Sequence, residues 1–348
     1  MNRPARGALP ASFPDELEST SGQPAAEAAC RACGAPSAMR LRMLAQPLDY
    51  CTSEKFAILV CDRCGRGRTV VPFGLALDGL YESASYDQGE GPVRKLLRPM
   101  LDALERNKVR QLARWTRPGA LLEVGAGKGR FLAAARAAGF DVRGIEPSAR
   151  SLRFARTLLG PVVDGRTLEA LAAESKRRFD VVYLWHVFEH LSAPDAALVQ
   201  LRGLLAEGGL LAIAVPNFTS LQAAWAREDW YHLDPPRHLH HFTPAGLSAL
   251  LERHGFTILE VSHDSHFQNF LGETISLLNR VSPCKNALLN AVKSNRRYFA
   301  ANGTASAWLT VLWNCVALAP AALAGACLMA AARLSRRAGT VVVYARRG

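Results

Sequence analysis

Three groups of residues in this 348-residue chain have types and spacings that could do chemistry. The first is a pair of knuckles, Cys30-Arg-Ala-Cys33-Gly34 and Cys61-Asp-Arg-Cys64-Gly65. A Cys-x-x-Cys turn brings two thiolates within reach of one zinc ion, and the glycine after it tolerates the positive φ such a turn tends to need. Two knuckles complete one closed tetrahedral site with no place for an activated water, so its work is structural or recognitive. Cys30, Cys33, Cys61 and Cys64 are thus the expected metal ligands, although the gap from Cys33 to Cys61 exceeds the usual ~15–20 residues. Two unrelated pairs of reduced thiols would not explain the repeated Cys-x-x-Cys-Gly. Cys51 lies between the pairs, as a substitute ligand or a buried free thiol. Cys284, Cys315 and Cys327 read as core residues. Arg63, Arg66 and Arg68 form either a phosphate-facing cluster or a solvated basic face.

The second group is Gly125-Ala-Gly-Lys-Gly129, followed one strand later by Glu146. Gly125 and Gly127 let the backbone bend sharply and approach a ligand closely, and Gly129 lets the next helix pack on the sheet. A carboxylate at the end of the second strand can accept both hydroxyl protons of a ribose, which points to an adenosine. A dinucleotide fingerprint would need glycine where Arg130 stands, and a P-loop would need Ser or Thr after Lys128. The third group is polar and histidine-rich: Trp185, His186, Glu189 and His190, then Tyr231, His232, Asp234, Arg237, His238, His240 and His241. The last three histidines invite a metal reading. Ligands would have to converge, however, and Asp234 is the nearest carboxylate, so the metal reading stands second to a substrate-facing loop.

The elements that must position these groups alternate strand and helix, the signature of a parallel sheet. Strands are expected at 121–124, 140–146, 161–163, 179–185, 210–215 and 256–261, with a last one at 340–345. Helices are expected at 130–138, 149–159, 194–205 and 243–254, the last with Thr243 as N-cap and Pro244 in its first turn. Phe56 to Val60 reads as a strand of a hairpin running into the second knuckle. The fold class is α/β: a doubly wound, Rossmann-like sheet with a small N-terminal zinc ribbon and an apolar helical insertion before the last strand.

In order and spacing, Glu123-Val-Gly-Ala-Gly-Lys-Gly-Arg-Phe131, Gly144-Ile-Glu-Pro147, and Phe179-Asp-Val-Val182 with Val187-Phe-Glu-His-Leu191 resemble the motifs of class I S-adenosylmethionine-dependent methyltransferases. Asp234-Pro-Pro-Arg-His-Leu-His-His-Phe-Thr-Pro244 is similar to a segment of the subgroup with an N-terminal zinc ribbon, which includes deoxysugar C-methyltransferases. The resemblance spans about residues 28 to 262 and the last strand. It implies S-adenosylmethionine and zinc as cofactors, with Glu123, Gly125, Ala126, Gly127, Gly129, Glu146, Leu168 and Trp185 at the methyl donor. Glu123 would lie near its amino group and Leu168 near its adenine. Lys128 departs from the small residue more often found there and is expected to point to solvent. Tyr81 and Tyr86, ahead of an amphipathic stretch from Val93 to Trp115, resemble tyrosines that cover the cofactor. Methyl transfer to an alcohol or an acidic C–H asks for in-line alignment and a proton acceptor, and histidine titrates near neutrality. His190, His238 and His241 are the candidate bases, His190 having a turn-stabilising part as the alternative. Tyr231 and Arg237 are the candidate substrate contacts, Arg237 for an anionic group.

Hydrophobic residues make up 49% of the chain and charged ones 21%, the composition of a globular protein. The domains expected are a disordered leader (1–28), a zinc ribbon (29–75), a helical segment leading into the core (76–115), the core (116–262), the apolar insertion (263–339) and the last strand (340–348). The leader holds no apolar run long enough for a signal peptide, which with paired rather than dispersed cysteines suggests a cytoplasmic protein. The insertion lacks charge between Arg297 and Arg333 and could cross a bilayer by length. Both flanking strands belong to one sheet, though, so a single crossing would strand the last one. Pro320 suggests two short helices forming a hairpin, dipping into the inner face of a membrane with Arg333, Arg336 and Arg337 at the headgroups, or packing as a substrate pocket or homodimer face.

A formal charge of +12 and a pI near 9.6 suit an acidic partner or simply reflect an arginine-rich composition. The acceptor is expected to be a small molecule, such as a sugar, a glycan precursor or a nucleotide- or lipid-linked intermediate. RNA methylation is the first alternative, disfavoured because no aromatic-and-basic platform for a nucleic acid is evident. A non-catalytic protein that binds the methyl donor is the second.

Overall fold

The computed structural model describes Cys30, Cys33, Ala35 and residues 39–45, 55–72 and 96–348. The expected leader, Cys51, Tyr81 and Tyr86 lie outside the described residues. The N-terminal module contributes β1 (Met39–Ala45), β2 (Phe56–Cys61) and β3 (Gly67–Thr69), and α1 (Arg98–Leu112) leads into the core. The alternating part then runs β4 (Ala120–Val124), α2 (Arg130–Ala137), β5 (Asp141–Ile145), α3 (Ala149–Leu159), β6 (Val163–Asp164), α4 (Leu168–Glu174), β7 (Phe179–Trp185), α5 (Pro194–Leu204) and β8 (Leu205–Pro216). After α6 (Leu221–Ala226) come β9 (His240–His241), α7 (Pro244–Arg253) and β10 (Phe256–Ser262). The insertion holds α8 (His266–Arg280), α9 (Ala287–Val292), α10 (Arg296–Ala301) and α11 (Thr304–Leu334), and β11 (Thr340–Arg347) closes the sheet.

The main sheet has the order β6-β5-β4-β7-β8-β11-β10, and β11 alone runs antiparallel to its neighbours. Side chains alternate along each strand, and both faces are apolar. Leu121, Val181, Tyr183 and Ala212 meet Val109 and Leu112 of α1, Phe131 of α2 and Ala155 of α3 on one face. Leu122, Val182, Leu184 and Ile213 meet Leu171 of α4, Leu198 and Leu201 of α5 and Leu247 of α7 on the other. Burial on both sides explains why these strands read as continuous apolar runs. Chain order reverses beside β4: β5 and β6 lie on one side, β7 and β8 on the other. That leaves a crevice at the carboxyl ends of β4 and β7, where open α/β sheets bind ligands.

A second sheet, β1-β2-β3-β9, joins the N-terminal module to the histidine segment. Gly67 pairs with His241 and Arg68 with His240. Nothing in a two-residue strand predicts such a partner.

The insertion differs from expectation at Pro320. One continuous helix, α11, passes through that residue, about 46 Å long at 1.5 Å per residue. Proline forfeits one hydrogen bond, but its ring points outward and the alanines around it are the best helix formers, so the helix continues. The hairpin is instead made by α8 and α11. Asn269 accepts from the Thr340 N–H at 2.7 Å, a Cβ on Gly325 would come within 2.8 Å of Thr274 Oγ1, and Ser282 donates to Asn314 at 2.5 Å. These contacts run in opposite senses along the two helices. Away from α8, α11 exposes Trp308, Leu309, Leu312, Trp313, Val316 and Leu323. Cys315 and Cys327 sit on this outward side and are exposed, so only Cys284 of the three is a core residue.

Asn269 is 3% exposed and fixes the start of β11. Replacing it by Ala leaves the Thr340 N–H buried without an acceptor and should lower the unfolding free energy by about 1–3 kcal/mol. Urea denaturation measures it, and an unchanged midpoint would show that this bond does not hold the strand.

Candidate active site

The turn after β4 is bent by three glycines in the left-handed region, with φ of 74° at Gly125, 52° at Gly127 and 75° at Gly129. A Cβ on Gly125 would fall 2.4 Å from Val187 Cγ2, so the turn touches the segment after β7. One on Gly129 would meet Leu159 of α3 at 2.8 Å, and Ala126 packs against Gly144 of β5. Around the place a Cβ on Gly127 would take, no atom of the described residues lies within 4 Å. Glu146 ties the turn to β5: its Oε2 accepts from the Gly127 N–H at 2.7 Å and its Oε1 from the Ser148 N–H at 2.9 Å. A carboxylate offers about four lone-pair positions, which suits it to accept from hydroxyl groups as well as from backbone.

Glu123, near the end of β4, is 5% exposed, and its Oε2 has no hydrogen-bond partner among the described residues. Burial pushes its carboxyl well above the ordinary range; Glu105 adds to that and Lys108 opposes it. Lys108 on α1 lies 4.1 Å from the Trp185 ring centre and 3.1 Å from Glu105. Trp185 stacks at 6.1 Å on Tyr183. A cationic, ribose-bearing donor such as S-adenosylmethionine fits this set. Gly127 has no neighbour close to where its Cβ would lie among the described residues, Glu146 stands beside it at the end of β5, and the Glu123 oxygen without a hydrogen-bond partner among the described residues favours a cation. Leu168 packs in the same apolar cluster as Val124 and Ile145, capped through Thr167. Lys128 does not simply point to solvent; its Nζ lies 4.8 Å from the Phe154 ring centre on α3.

The far wall begins at His186, a non-glycine residue with φ of 53°. Such strain persists only where the surroundings over-determine it. Its Nδ1 is 3.2 Å from Glu189 Oε1, its Nε2 is 3.4 Å from Thr340 Oγ1, and its ring stacks at 5.5 Å on His232. Burial, then Lys108, depresses the His186 imidazole to about 3, and burial raises Glu189 to about 7. His190 Nδ1 lies 2.9 Å from the Arg237 carbonyl, and His238 Nδ1 2.9 Å from the His232 carbonyl. Both imidazoles are depressed by burial. His190, His238 and Glu189 do converge, each offering a ligand atom within 4.8 Å of the others.

Two expected site residues serve structure instead. Arg237 is 2% exposed and spends Nε and Nη2 on the Asp234 carboxylate, so it braces the loop rather than reaching for an anion. His241 lies within the ribbon sheet. The Thr69 hydroxyl gives its one proton to the His238 carbonyl at 2.6 Å, so it accepts from His241 Nε2–H at 2.9 Å. Burial holds the His241 imidazole down to about 3. Arg66 is neither phosphate-facing nor solvated: it is 4% exposed, bonded to His240 Nδ1 at 2.9 Å and stacked over Phe242 at 5.0 Å. Thr243, the expected N-cap of α7, accepts from the Gly246 N–H and also donates to the Cys64 carbonyl at 3.0 Å. Tyr231 is half-buried beside His232. Sequence reasoning missed Lys108 and Glu105; their three-residue spacing on a helix is the one signal that could have found them.

Cys30, Cys33, Cys61 and Cys64 gather as expected, with Sγ–Sγ distances of 3.6 Å for Cys30–Cys64 and 3.7 Å for Cys33–Cys61. A disulfide needs about 2.05 Å, whereas a tetrahedron with metal–sulfur bonds of about 2.3 Å has edges of about 3.8 Å.

The strand order, the glycine turn and the acidic strand end are those of a Rossmann-like methyltransferase fold, and residues 95–261, just under half of the chain, match the family model described as a methyltransferase domain. The chain is similar to the ubiquinone biosynthesis O-methyltransferase of Roseobacter denitrificans, 36% identical over 102 residues, covering 28% of this chain and 41% of the relative. It is also 33% identical over 146 residues to that of Cereibacter sphaeroides, covering 39% of this chain and 59% of the relative. The chain thus spans only about half the length of these curated relatives. Among solved structures, an S-adenosylmethionine-dependent methyltransferase from Archaeoglobus fulgidus aligns with a TM-score of 0.42 at 16% identity, covering 71% of this chain and 94% of that one.

Glu146→Ala should weaken binding of the methyl donor or its demethylated product by about 1–3 kcal/mol, through lost charged hydrogen bonds. Isothermal titration reads this directly, and unchanged affinity would remove Glu146 from the cofactor site.

Proposed function

We propose that the protein transfers a methyl group from S-adenosylmethionine to a hydroxyl of a small-molecule acceptor: a sugar, a glycan precursor or a lipid-linked intermediate. The observation that carries this reading is the contact between the two walls: Val187 packs on Gly125, so the donor cradle and the His186–Glu189 pair share one crevice. The O-methyltransferase names of the curated relatives support oxygen as the acceptor atom. S-adenosylmethionine, when bound, supplies an electrophilic methyl group on a good leaving group. The protein's own residues do the rest. Gly125 and Gly127 bring backbone against the ligand, Glu146 accepts ribose hydroxyls, and Glu123 faces the donor's cationic end. An alcohol oxygen becomes strongly acidic as it takes the methyl group, so even the neutral His186 imidazole, depressed by burial, can receive its proton, with Glu189 orienting the ring as the third member of a triad would.

Zinc in the cysteine cluster is the second part of the proposal. It would hold the ribbon in shape, and through β3, Arg66 and Thr69 the ribbon would hold the histidine segment. The third part is attachment to a membrane surface through α11. Only 11% of its most apolar stretch is buried, Trp308 and Trp313 suit the interfacial region, and Arg296, Arg297, Arg333, Arg336 and Arg337 flank its ends. Both ends of the insertion return to one sheet edge, where Ser262 pairs with Val342, which favours a helix lying on the surface over one that crosses.

Labelled methyl transfer to a panel of nucleotide-sugars and lipid-linked saccharides tests the activity. His186→Ala should lower turnover about 100-fold or more while donor affinity stays the same; an unchanged rate would rule out this proton acceptor. Cys61→Ser with Cys64→Ser should remove one equivalent of zinc by elemental analysis and lower the melting temperature by several degrees; full zinc content in that variant would exclude the cluster as its site. Flotation should carry the protein up with anionic vesicles. A variant with Leu309→Glu, Leu312→Glu and Val316→Glu should stay at the bottom, and equal flotation of both would reject α11 as the contact.

A further inference from the structure

We infer that Glu189, His190 and His238 form a binding site for one divalent first-row transition-metal ion at the carboxyl end of β7, separate from the cysteine cluster. Their ligand atoms lie within 4.8 Å of one another, although the residues arrive from two segments of the chain. The tautomers are set by their partners. A carbonyl oxygen only accepts, so the Nδ1 atoms of His190 and His238 carry the protons that they give to Arg237 and His232. In each neutral ring the lone pair is therefore on Nε2. Outer hydrogen bonds of this kind orient imidazoles that ligate metals.

Glu189 supplies the second observation. It is 1% exposed, its Oε1 faces His186 Nδ1, and its Oε2 has no hydrogen-bond partner among the described residues. A buried carboxyl oxygen left this way is destabilising, and a dication beside it removes the penalty. The set is braced from outside. Thr69 of the ribbon holds the His238 carbonyl, the Asp234–Arg237 pair locks the loop before it, and the Leu239 N–H donates to the Glu189 carbonyl at 3.0 Å.

Metal–ligand bonds of about 2.1 Å place neighbouring ligand atoms about 3.0–3.4 Å apart. His238 Nε2 and Glu189 Oε1 are 3.9 Å apart, so side-chain shifts of about 1 Å would close the set on an ion. Two imidazoles and one carboxylate suit zinc, iron, cobalt, nickel or manganese over magnesium or calcium, and they leave open positions. Beside His186, an open position would hold the acceptor oxygen. That use rests on the proposed methyl transfer; cation binding does not.

Manganese separates this site from the cysteine cluster, because thiolates select softer ions. The full-length protein, treated with chelator and then titrated with Mn2+ by electron paramagnetic resonance, should bind one ion per chain. Glu189→Gln, close in size and shape, and His238→Ala should each weaken that binding at least tenfold, while both variants still bind the demethylated donor. Wild-type protein that binds no Mn2+, or a Glu189→Gln variant that binds it as tightly as wild type, overturns the inference. If donor binding survives in a wild type that takes up no Mn2+, only the cation site fails; loss of donor binding in that wild type would strike the methyl-transfer reading instead.

Discussion

Strand order reverses at β4, and that reversal places the donor cradle and the His186–Glu189 pair at one crevice. Because β5 departs to one side and β7 to the other, the carboxyl ends of β4 and β7 are not bridged by a connecting loop, and a crevice remains. The turn reaches its floor because Gly125 has no side chain there, Val187 occupying the place a Cβ on Gly125 would take. Buried carboxyls, Glu123 and Glu189, lie near the carboxyl ends of the neighbouring strands β4 and β7, and each has an oxygen without a hydrogen-bond partner among the described residues. Groups so placed raise the energy of the ligand-free protein and strengthen what binds there, which is how stability is given up for function.

The second constraint is the pairing of β3 with β9. A loop of histidines is a poor candidate for order by itself, since buried imidazoles are desolvated and all of those between His232 and His241 are depressed for that reason. The ribbon supplies the partners the loop lacks. Arg66 meets His240, and Thr69 meets both His241 and the His238 backbone. The cysteine cluster lies just beyond, with the Cys64 carbonyl accepting from Thr243 at the start of α7. The N-terminal module therefore clamps the histidine loop.

The parallel core was readable in advance because its signals are local: apolar runs such as Val181 to Leu184, glycine at the turns, and Thr243 ahead of Pro244. Class and cofactor followed from Gly125 to Gly129 with Glu146, residues whose spacing is set by one strand and one helix. Long-range pairing was not readable. Three histidines in the 238–241 segment look alike in sequence, yet His238 turns toward Glu189 while His240 and His241 are taken by the ribbon, a difference made by residues roughly 170 positions away. The same holds for the convergence of His190 with His238, while the Asp234–Arg237 pair, only three residues apart, was within reach of the sequence. Pro320 misled for the opposite reason: its local rule is sound, but an exposed position in an alanine-rich helix packed on α8 overrides it.

Amide hydrogen exchange of the full-length protein with and without the demethylated methyl donor tests the central claim most directly. Protection confined to the Gly125–Gly129 turn and the Glu146–Ser148 amides, with weaker changes at 185–190, is the result this structure predicts. Equal exchange of those amides in both states, in protein whose core amides remain protected, would contradict it.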